Sequence, residues 1–160
     1  MRVVFLDIDG VLNSVDDYEK FPQNKEKGFP AYDIFDRPLS LLKHLVNETD
    51  AVIVLSSAWR VGYMHAKENP SFNEGKNRFN AINNEFSRFG LSVFDVTPQL
   101  NGCRGEQIQA WLDNHDDVES FVIFDDDADM AHLIDRLVKT TYQSGLQRIH
   151  IDMARKLLED

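Results

Sequence analysis

The chain has 160 residues, 42% of them hydrophobic, which is enough for one globular domain with a real core. Its 17 Lys and Arg against 27 Asp and Glu give a net charge of -10, which disfavours strong nonspecific binding to nucleic acid. The single cysteine, Cys103, excludes an internal disulfide and a cysteine zinc site. We find neither an apolar stretch of the ~20 residues that a membrane helix needs nor a signal peptide, so we expect a cytoplasmic protein without membrane contact.

The first predicted strand is an apolar run at residues 3–6 that ends in Asp7. Apolar residues on both faces are typical of a parallel strand that helices cover on both sides. In such sheets ligands bind beyond the carboxyl ends of the strands, so Asp7 and Asp9 are expected at the mouth of a site. Gly10 allows the chain to turn sharply after them. For this motif alone, the alternative is a strand that ends in an ordinary polar turn.

Residues 14–36 are polar and irregular, and they predict a loop of a length that is often functional. Its aromatic residues either pack the loop down or contact a substrate; they are Phe21, Phe29, Tyr32 and Phe35. Asp36 is expected to cap the next helix, with Pro38 in the first turn, because these residue types favour those positions. Leucines then recur on one helical face. The second predicted strand, 51–55, ends in Ser56.

A second irregular region is predicted at 61–78. Four apolar residues then recur at spacings of three and four, which predicts a helix that Gly90 ends. They are Phe79, Ile82, Phe86 and Phe89. The remaining expected elements are a strand at 91–96, a helix at 106–115, a strand at 121–124, a short helix through Arg136, a strand at 137–141 and a helix at 147–158.

Because strands alternate with helices, the sequence predicts an α/β fold. We expect a three-layer, Rossmann-like sandwich with a mainly parallel five-stranded sheet. No repeat or linker divides the sequence, so we expect a single domain over residues 1–160, with loop insertions at about 14–36 and 61–78.

Three of the predicted strands end in polar side chains suited to binding a metal or a phosphate. These are Asp7 and Asp9 after the first strand, Ser56 after the second, and Asp125 and Asp126 after the fourth. Arg104 lies in the loop before the helix that leads to the fourth strand. Since parallel strands bring their carboxyl ends to one edge of the sheet, this combination favours a carboxylate-rich metal and phosphate site over ordinary turns.

In this order, the motifs resemble those of the haloacid dehalogenase (HAD) superfamily of phosphotransferases. The D-x-D-G motif starts at Asp7, the strand-ending serine is Ser56 in VIVLSS, and the acidic pair follows FVIF. The usual lysine of the superfamily has no match, and Arg104 is the candidate for its role. VLSSAWR and RGEQIQAWLD are similar to a small HAD branch associated with Swiss Army Knife RNA repair proteins. The resemblance implies a HAD-like fold with a minimal cap.

The resemblance also implies a Mg²⁺-dependent phosphatase. Asp7 would attack phosphorus and form an aspartyl-phosphate, and Asp9 would protonate the leaving oxygen and then activate water. Mg²⁺ would be held by the Asp7 carboxylate, the Asp9 backbone carbonyl and Asp125, since hard oxygen ligands suit this ion. Asp126 would be a further ligand or would orient a water molecule. The choice between Asp125 and Asp126 as the principal ligand stays open.

Four further side chains are candidates for contacts with the substrate. Ser56 would hydrogen-bond a phosphoryl oxygen. Arg104 would neutralise the nucleophile and the phosphate, and its alternative is an ordinary ion pair at a helix start. Arg60 is a second phosphate candidate, with a structural ion pair as its alternative. Trp59 either stacks on a nucleobase or packs against the 14–36 loop.

The leading hypothesis is a phosphomonoester hydrolase with an open site, because the segments between the motifs are too short for a large cap domain. The Trp59-Arg60 pair favours a nucleotide or a nucleic-acid terminal phosphate over other phosphorylated small molecules, whereas the acidic net charge opposes this. A phosphoacceptor signalling module is the first alternative, which Ser56 disfavours because such modules carry an acceptor Asp on the middle strand. A catalytically silent HAD-like binding domain is the second, and intact Asp7 and Asp9 speak against it. The oligomeric state stays open.

Overall fold

Strands and helices alternate along the computed structural model, which describes residues 1–21, 33–69, 71 and 76–159. The strands are β1 (Arg2–Leu6), β2 (Val52–Leu55), β3 (Val93–Val96), β4 (Ser120–Asp125) and β5 (Leu137–Lys139). The helices are α1 (Val15–Lys20), α2 (Asp36–Thr49), α3 (Trp59–Glu68), α4 (Lys76–Arg88), α5 (Arg104–Leu112), a 3-10 helix (Ala131–Arg136) and α6 (Arg148–Glu159). Among these described helices, none has the length and apolar character required to cross a membrane.

The strands form one parallel sheet in the order β3-β2-β1-β4-β5, with the first strand at its centre. Leu6, the last residue of β1, lies opposite both Leu55 and Phe124. Parallel neighbours need crossover connections, which return the chain to the same edge before each new strand. The prediction of an α/β fold with a parallel five-stranded sheet is confirmed.

Helices cover both faces of the sheet because its inner strands are apolar on both faces. Side chains alternate between the faces along a strand. Val4 and Leu6 therefore belong to the cluster that includes residues of α2 and α6, whereas Val3 and Phe5 pack with residues of α5 and the 3-10 helix. The predicted inward leucines of α2 are fully buried; they are Leu39, Leu42 and Leu45. These contacts make the three-layer sandwich that the sequence predicts.

The predicted loop at 14–36 contains a helix, so that expectation is wrong for its first part. Ser14 caps α1, because its hydroxyl accepts a hydrogen bond from the backbone N–H of Asp17. A helix of six residues is too short to show an apolar stripe, and the S-x-x-D pattern was its one sequence signal. Phe21 and Phe35 pack together with ring centroids 6.0 Å apart. The other two aromatic residues of this segment, Phe29 and Tyr32, lie outside the described residues.

The irregular region predicted at 61–78 is also wrong in its first half, where α3 continues to Glu68. Gly62 is a residue type that weakens helices, but it is buried within α3. Trp59 and Tyr63, four residues apart, are buried on one face of α3 and explain why the helix forms.

The start of α2 differs from the predicted cap by one residue. Phe35 occupies the N-cap position without a side-chain hydrogen bond, so Asp36 is the first helical residue. The Asp36 carboxylate instead accepts two hydrogen bonds from Arg88 of α4, at 3.0 and 3.1 Å. Pro38 lies in the first turn, as predicted. The bounds of the later strands, α5 and α6 lie within three residues of the predicted ones.

Candidate active site

The register of the sheet places three of the predicted site residues in one row. Asp7, Ser56 and Asp125 lie next to one another because the residues before them, Leu6, Leu55 and Phe124, are paired. Backbone hydrogen bonds continue into the row: the N–H of Asp7 donates to the Phe124 carbonyl and that of Ser56 to the Leu6 carbonyl, both at 3.0 Å. The side chains therefore start from fixed positions at the carboxyl edge.

Three carboxylates meet at this edge. Asp7, Asp125 and Asp126 each offer an oxygen, and these oxygens lie within 4.8 Å of one another. Asp7 is 5% exposed and Asp125 is completely buried. Burial raises the pKa of the Asp7 carboxyl. Burial, and then the charge of Asp7, raise the pKa of Asp125 to about 7, and the pKa of Asp126 is raised for the same reasons.

Gly10 makes the close approach of Asp126 possible. Its φ of +71° is in the left-handed region, which residues with a side chain rarely adopt. A Cβ atom at this position would lie 2.6 Å from the Asp126 Cγ, which is shorter than any normal contact. The glycine of the D-x-D-G motif is therefore needed for the turn and for the space that the third carboxylate occupies.

Arg104, the first residue of α5, is the cation of the cluster. Its Nε lies 3.1 Å from an Asp125 oxygen and its Nη1 lies 3.4 Å from an Asp7 oxygen. The guanidinium also donates to the Ser56 backbone carbonyl. Gly105 lets α5 begin this close to the site, because a Cβ there would lie 2.1 Å from the Met130 carbonyl oxygen. Arg104 pairs with two of the three carboxylates and not with Asp126, so negative charge remains for a cation to offset.

The two serines after β2 have different environments. The Ser56 hydroxyl is fully buried and has no hydrogen-bond partner within the described part of the chain. The Ser57 hydroxyl hydrogen-bonds the Asp7 carboxylate, which opposes the rise in the pKa of Asp7, and it also accepts a bond from the N–H of Trp59 at 3.2 Å. Ser57 was missed in the sequence, although it is the second serine of the same VLSSAW segment.

Arg60 connects the segment after β2 to α5 through hydrogen bonds. It is buried, and its Nη1 donates to the backbone carbonyls of Ser56 and Ser57 at 3.1 and 2.8 Å. Its Nη2 donates to the Gln107 side chain of α5. Burial lowers the pKa of Arg60, and so does the nearby charge of Arg104. These bonds favour a structural role, and binding of phosphate by Arg60 stays a prediction.

Trp59 is buried, and its indole is directed at Asp9. The indole Nε1 donates to one Asp9 oxygen at 2.8 Å, and the side-chain amide of Asn13 donates to the other at 2.9 Å. With 4% of its surface exposed, Trp59 offers no open face for a base to stack on, and its packing against the 14–36 loop stays a prediction. Asn13 was missed in the sequence, and its position three residues after Gly10 was the only signal.

Fold and site together define an α/β protein with an acidic site at the carboxyl edge of a parallel sheet, where such folds bind their ligands. The family model described as "HAD domain in Swiss Army Knife RNA repair proteins" matches residues 3–151. The chain belongs to this family, as its motifs predict. No curated protein and no solved structure gave a significant match.

Proposed function

We propose that the protein is a Mg²⁺-dependent phosphomonoester hydrolase that acts through an aspartyl-phosphate intermediate. The observation that carries this proposal is the setting of Asp7. It is a buried carboxylate, it faces Arg104 and two further acids, and a second acid, Asp9, lies two residues along the chain. This arrangement supplies a nucleophile, its neutralising cation and a separate acid for the leaving group.

In the first step, an Asp7 oxygen forms a bond to phosphorus while the ester P–O bond breaks. Asp9 gives its proton to the departing oxygen, so the alcohol leaves neutral. In the second step, Asp9 accepts a proton from water, and the water oxygen displaces Asp7 from phosphorus. Inorganic phosphate leaves and both carboxylates return to their initial states. Arg104 faces the charge on Asp7 and on the transferred group throughout.

The donor set fits Mg²⁺. Three carboxylates within 4.8 Å of one another are the hard oxygen ligands that this ion prefers. Asp7 and Asp125 would hold it, with Asp126 as the third acid of the set. When bound, it offsets negative charge so that an anionic nucleophile and an anionic phosphate can approach each other.

For the substrate, we propose a nucleotide or a nucleic-acid terminal phosphate. The support is the association of the family with RNA repair proteins and the exposure of Asp9, which leaves the acid accessible from solvent. The net charge of -10 favours a small ligand or a strand end over a long duplex. Nucleoside monophosphates assayed against 3'- and 5'-phosphorylated oligonucleotides test this choice.

The test of the reaction is hydrolysis of a generic aryl phosphate with Mg²⁺ or with EDTA. We expect turnover that needs the metal and that falls by at least about 10³-fold in Asp7→Asn, because no other nucleophile is assigned. Asp116→Asn, at an exposed position, is the control and should keep its activity. Turnover that survives in Asp7→Asn would exclude Asp7 as the nucleophile.

The same assay separates the alternatives. Stoichiometric phosphorylation of the protein with little turnover would indicate a phosphoacceptor module. Phosphate binding without either reaction would indicate a silent binding domain.

A further inference from the structure

We propose that Trp59 and Asn13 are positioning residues that hold the Asp9 carboxylate in one orientation for proton transfer. This inference rests on the proposed hydrolase activity and on Asp9 as its acid. Neither residue belongs to the four motifs, and each contacts a different oxygen of Asp9.

Asp9 is held at both oxygens although it is exposed. An exposed carboxylate is ordinarily free to rotate, because water satisfies its oxygens as well as the protein does. Here the Trp59 Nε1 lies 2.8 Å from Oδ2 and the Asn13 Nδ2 lies 2.9 Å from Oδ1. Two donors on opposite oxygens fix the plane of the carboxylate as well as its position.

The Asn13 donor is itself locked. Asn13 is 3% exposed, and its Oδ1 accepts the backbone N–H of Gly10 at 3.1 Å. Its Nδ2 also donates to the backbone carbonyl of Asp33 at 3.3 Å. Rotating the amide by half a turn would place its oxygen against two acceptors, Asp9 and the Asp33 carbonyl. The donor must therefore stay on Asp9.

Trp59 is equally constrained. It is the first residue of α3, its ring is buried, and its backbone N–H is bonded to the Ser57 hydroxyl. An indole N–H only donates, so it can face a carboxylate oxygen but never take its proton. The bond also links the end of β2, where Ser56 and Ser57 lie, to the acid that follows β1.

The held orientation matters because a general acid works only within hydrogen-bond reach of the leaving oxygen. Each Asp9 oxygen keeps a second lone pair beside the one that its donor uses, so the carboxyl group can still carry and deliver a proton. Loss of one donor would let the group rotate and would reduce the fraction of molecules in which the acid is aligned.

The dependence of the rate on the leaving group tests this. An alkyl phosphate needs protonation of its poor leaving oxygen, whereas p-nitrophenyl phosphate does not. The parameter to compare is kcat/KM, because it reports only the steps through cleavage of the ester bond. Trp59→Phe keeps an aromatic ring but removes the indole N–H. We expect it to lower kcat/KM for the alkyl phosphate by about 10- to 100-fold more than for the aryl phosphate, which is less than the full contribution of a general acid. Asn13→Ala is a second, independent variant and should show the same selective loss.

Two comparisons make the test specific. In the Asp9→Asn background, Trp59→Phe should have no further selective effect, because the group that it positions is already gone. Trp111→Phe is the matched control: the Trp111 Nε1 donates to an Asp95 oxygen at 2.7 Å and its side chain is also buried, but it lies outside the site. It should leave the ratio of the two kcat/KM values unchanged.

The outcomes separate the inference from the function on which it rests. Equal losses on both substrates, no loss, or a selective loss that persists in Asp9→Asn would overturn the positioning role while the hydrolase activity stands. A wild-type protein without turnover would overturn the proposed function and this inference with it. A wild-type protein whose discrimination is unaffected by Asp9→Asn would overturn the assignment of the acid, and the positioning role with it.

Discussion

Two buried ionic networks within the described residues are built in opposite ways. In the first, between α1 and α2, Arg37 contacts both oxygens of Asp17, at 2.8 and 2.9 Å. The Ser14 hydroxyl donates to the same carboxylate, and Nη1 and Nη2 of Arg37 also donate to the backbone carbonyls of Leu146 and Ser144, which follow β5. In the second, at the carboxyl edge of the sheet, Arg104 lies 3.1 Å from an Asp125 oxygen and 3.4 Å from an Asp7 oxygen.

The difference lies in how completely the charges are matched. The Arg37 network pairs one acid with one cation and satisfies both carboxylate oxygens, so its role is structural. The Arg104 network has three acids, of which Arg104 pairs with two, and the Ser56 hydroxyl within it has no partner among the described residues. A buried polar group without a partner costs stability, and it is retained where a ligand completes it. Incomplete pairing thus supports the proposal that this network is the active site.

The largest effect on stability is expected from breaking the complete network. Arg37→Ala would leave the Asp17 carboxylate, which is 1% exposed, without its cation. We expect a loss of about 3–5 kcal/mol in the free energy of unfolding, with kcat/KM per folded molecule unchanged. Urea unfolding measures the first and activity corrected for folded fraction the second. Arg155→Ala removes an exposed ion pair to Glu48 and is the control, with a much smaller expected loss.

The second effect comes from breaking the incomplete network. Arg104→Ala should lower kcat/KM by about 10²- to 10³-fold, because a charged donor is removed where charge develops in the reaction. Arg104→Lys should recover part of it, since lysine restores the charge without the forked geometry. Arg60→Ala is the comparison. If it abolishes turnover and Arg104→Ala does not, then Arg60 is the phosphate-binding cation and Arg104 is not.

The difference between the two networks also explains what the sequence could predict. Asp7, Ser56 and Asp125 follow apolar strands directly, and parallel pairing alone brings such residues into one row. The strands, the layers and the row were therefore predictable. The bond between Trp59 and Asp9 was not, because it depends on the rotation of α3 about its axis. The same holds for Asp36, whose partner Arg88 is 52 residues away along the chain.

A third effect is a gain in stability in the metal-free protein. The pKa of Asp125 is raised to about 7 from 3.8, so the folded state holds a proton that the unfolded state releases. Ionising Asp125 therefore lowers stability progressively between about pH 4 and pH 7, and the cost persists above pH 7. Asp125→Asn removes this cost. We expect it to stabilise the protein in EDTA by on the order of 1–3 kcal/mol at pH 8 and by less at pH 5.

Thermal unfolding at the two pH values, with and without Mg²⁺, measures that effect. Mg²⁺ should raise the Tm of the wild type and should have little effect on Asp125→Asn, because a ligand of the proposed site is gone. A variant that is less stable than the wild type in EDTA at pH 8 would contradict the view that ionising the buried Asp125 destabilises the protein in the absence of a cation.

The smallest effect is expected from Ser14→Ala, which weakens the complete network without removing either charge. The hydroxyl caps α1 through the Asp17 N–H and also donates to the Asp17 carboxylate at 2.7 Å. Because Arg37 still contacts both oxygens of Asp17, we expect a loss of only about 1 kcal/mol, or roughly 2–4 °C in Tm. Ser14 directly follows Asn13, so this variant also tests how separate the networks are. An unchanged kcat/KM would show that the two networks act independently. A selective loss of kcat/KM on alkyl phosphates would show that the Arg37 network helps to hold Asp9.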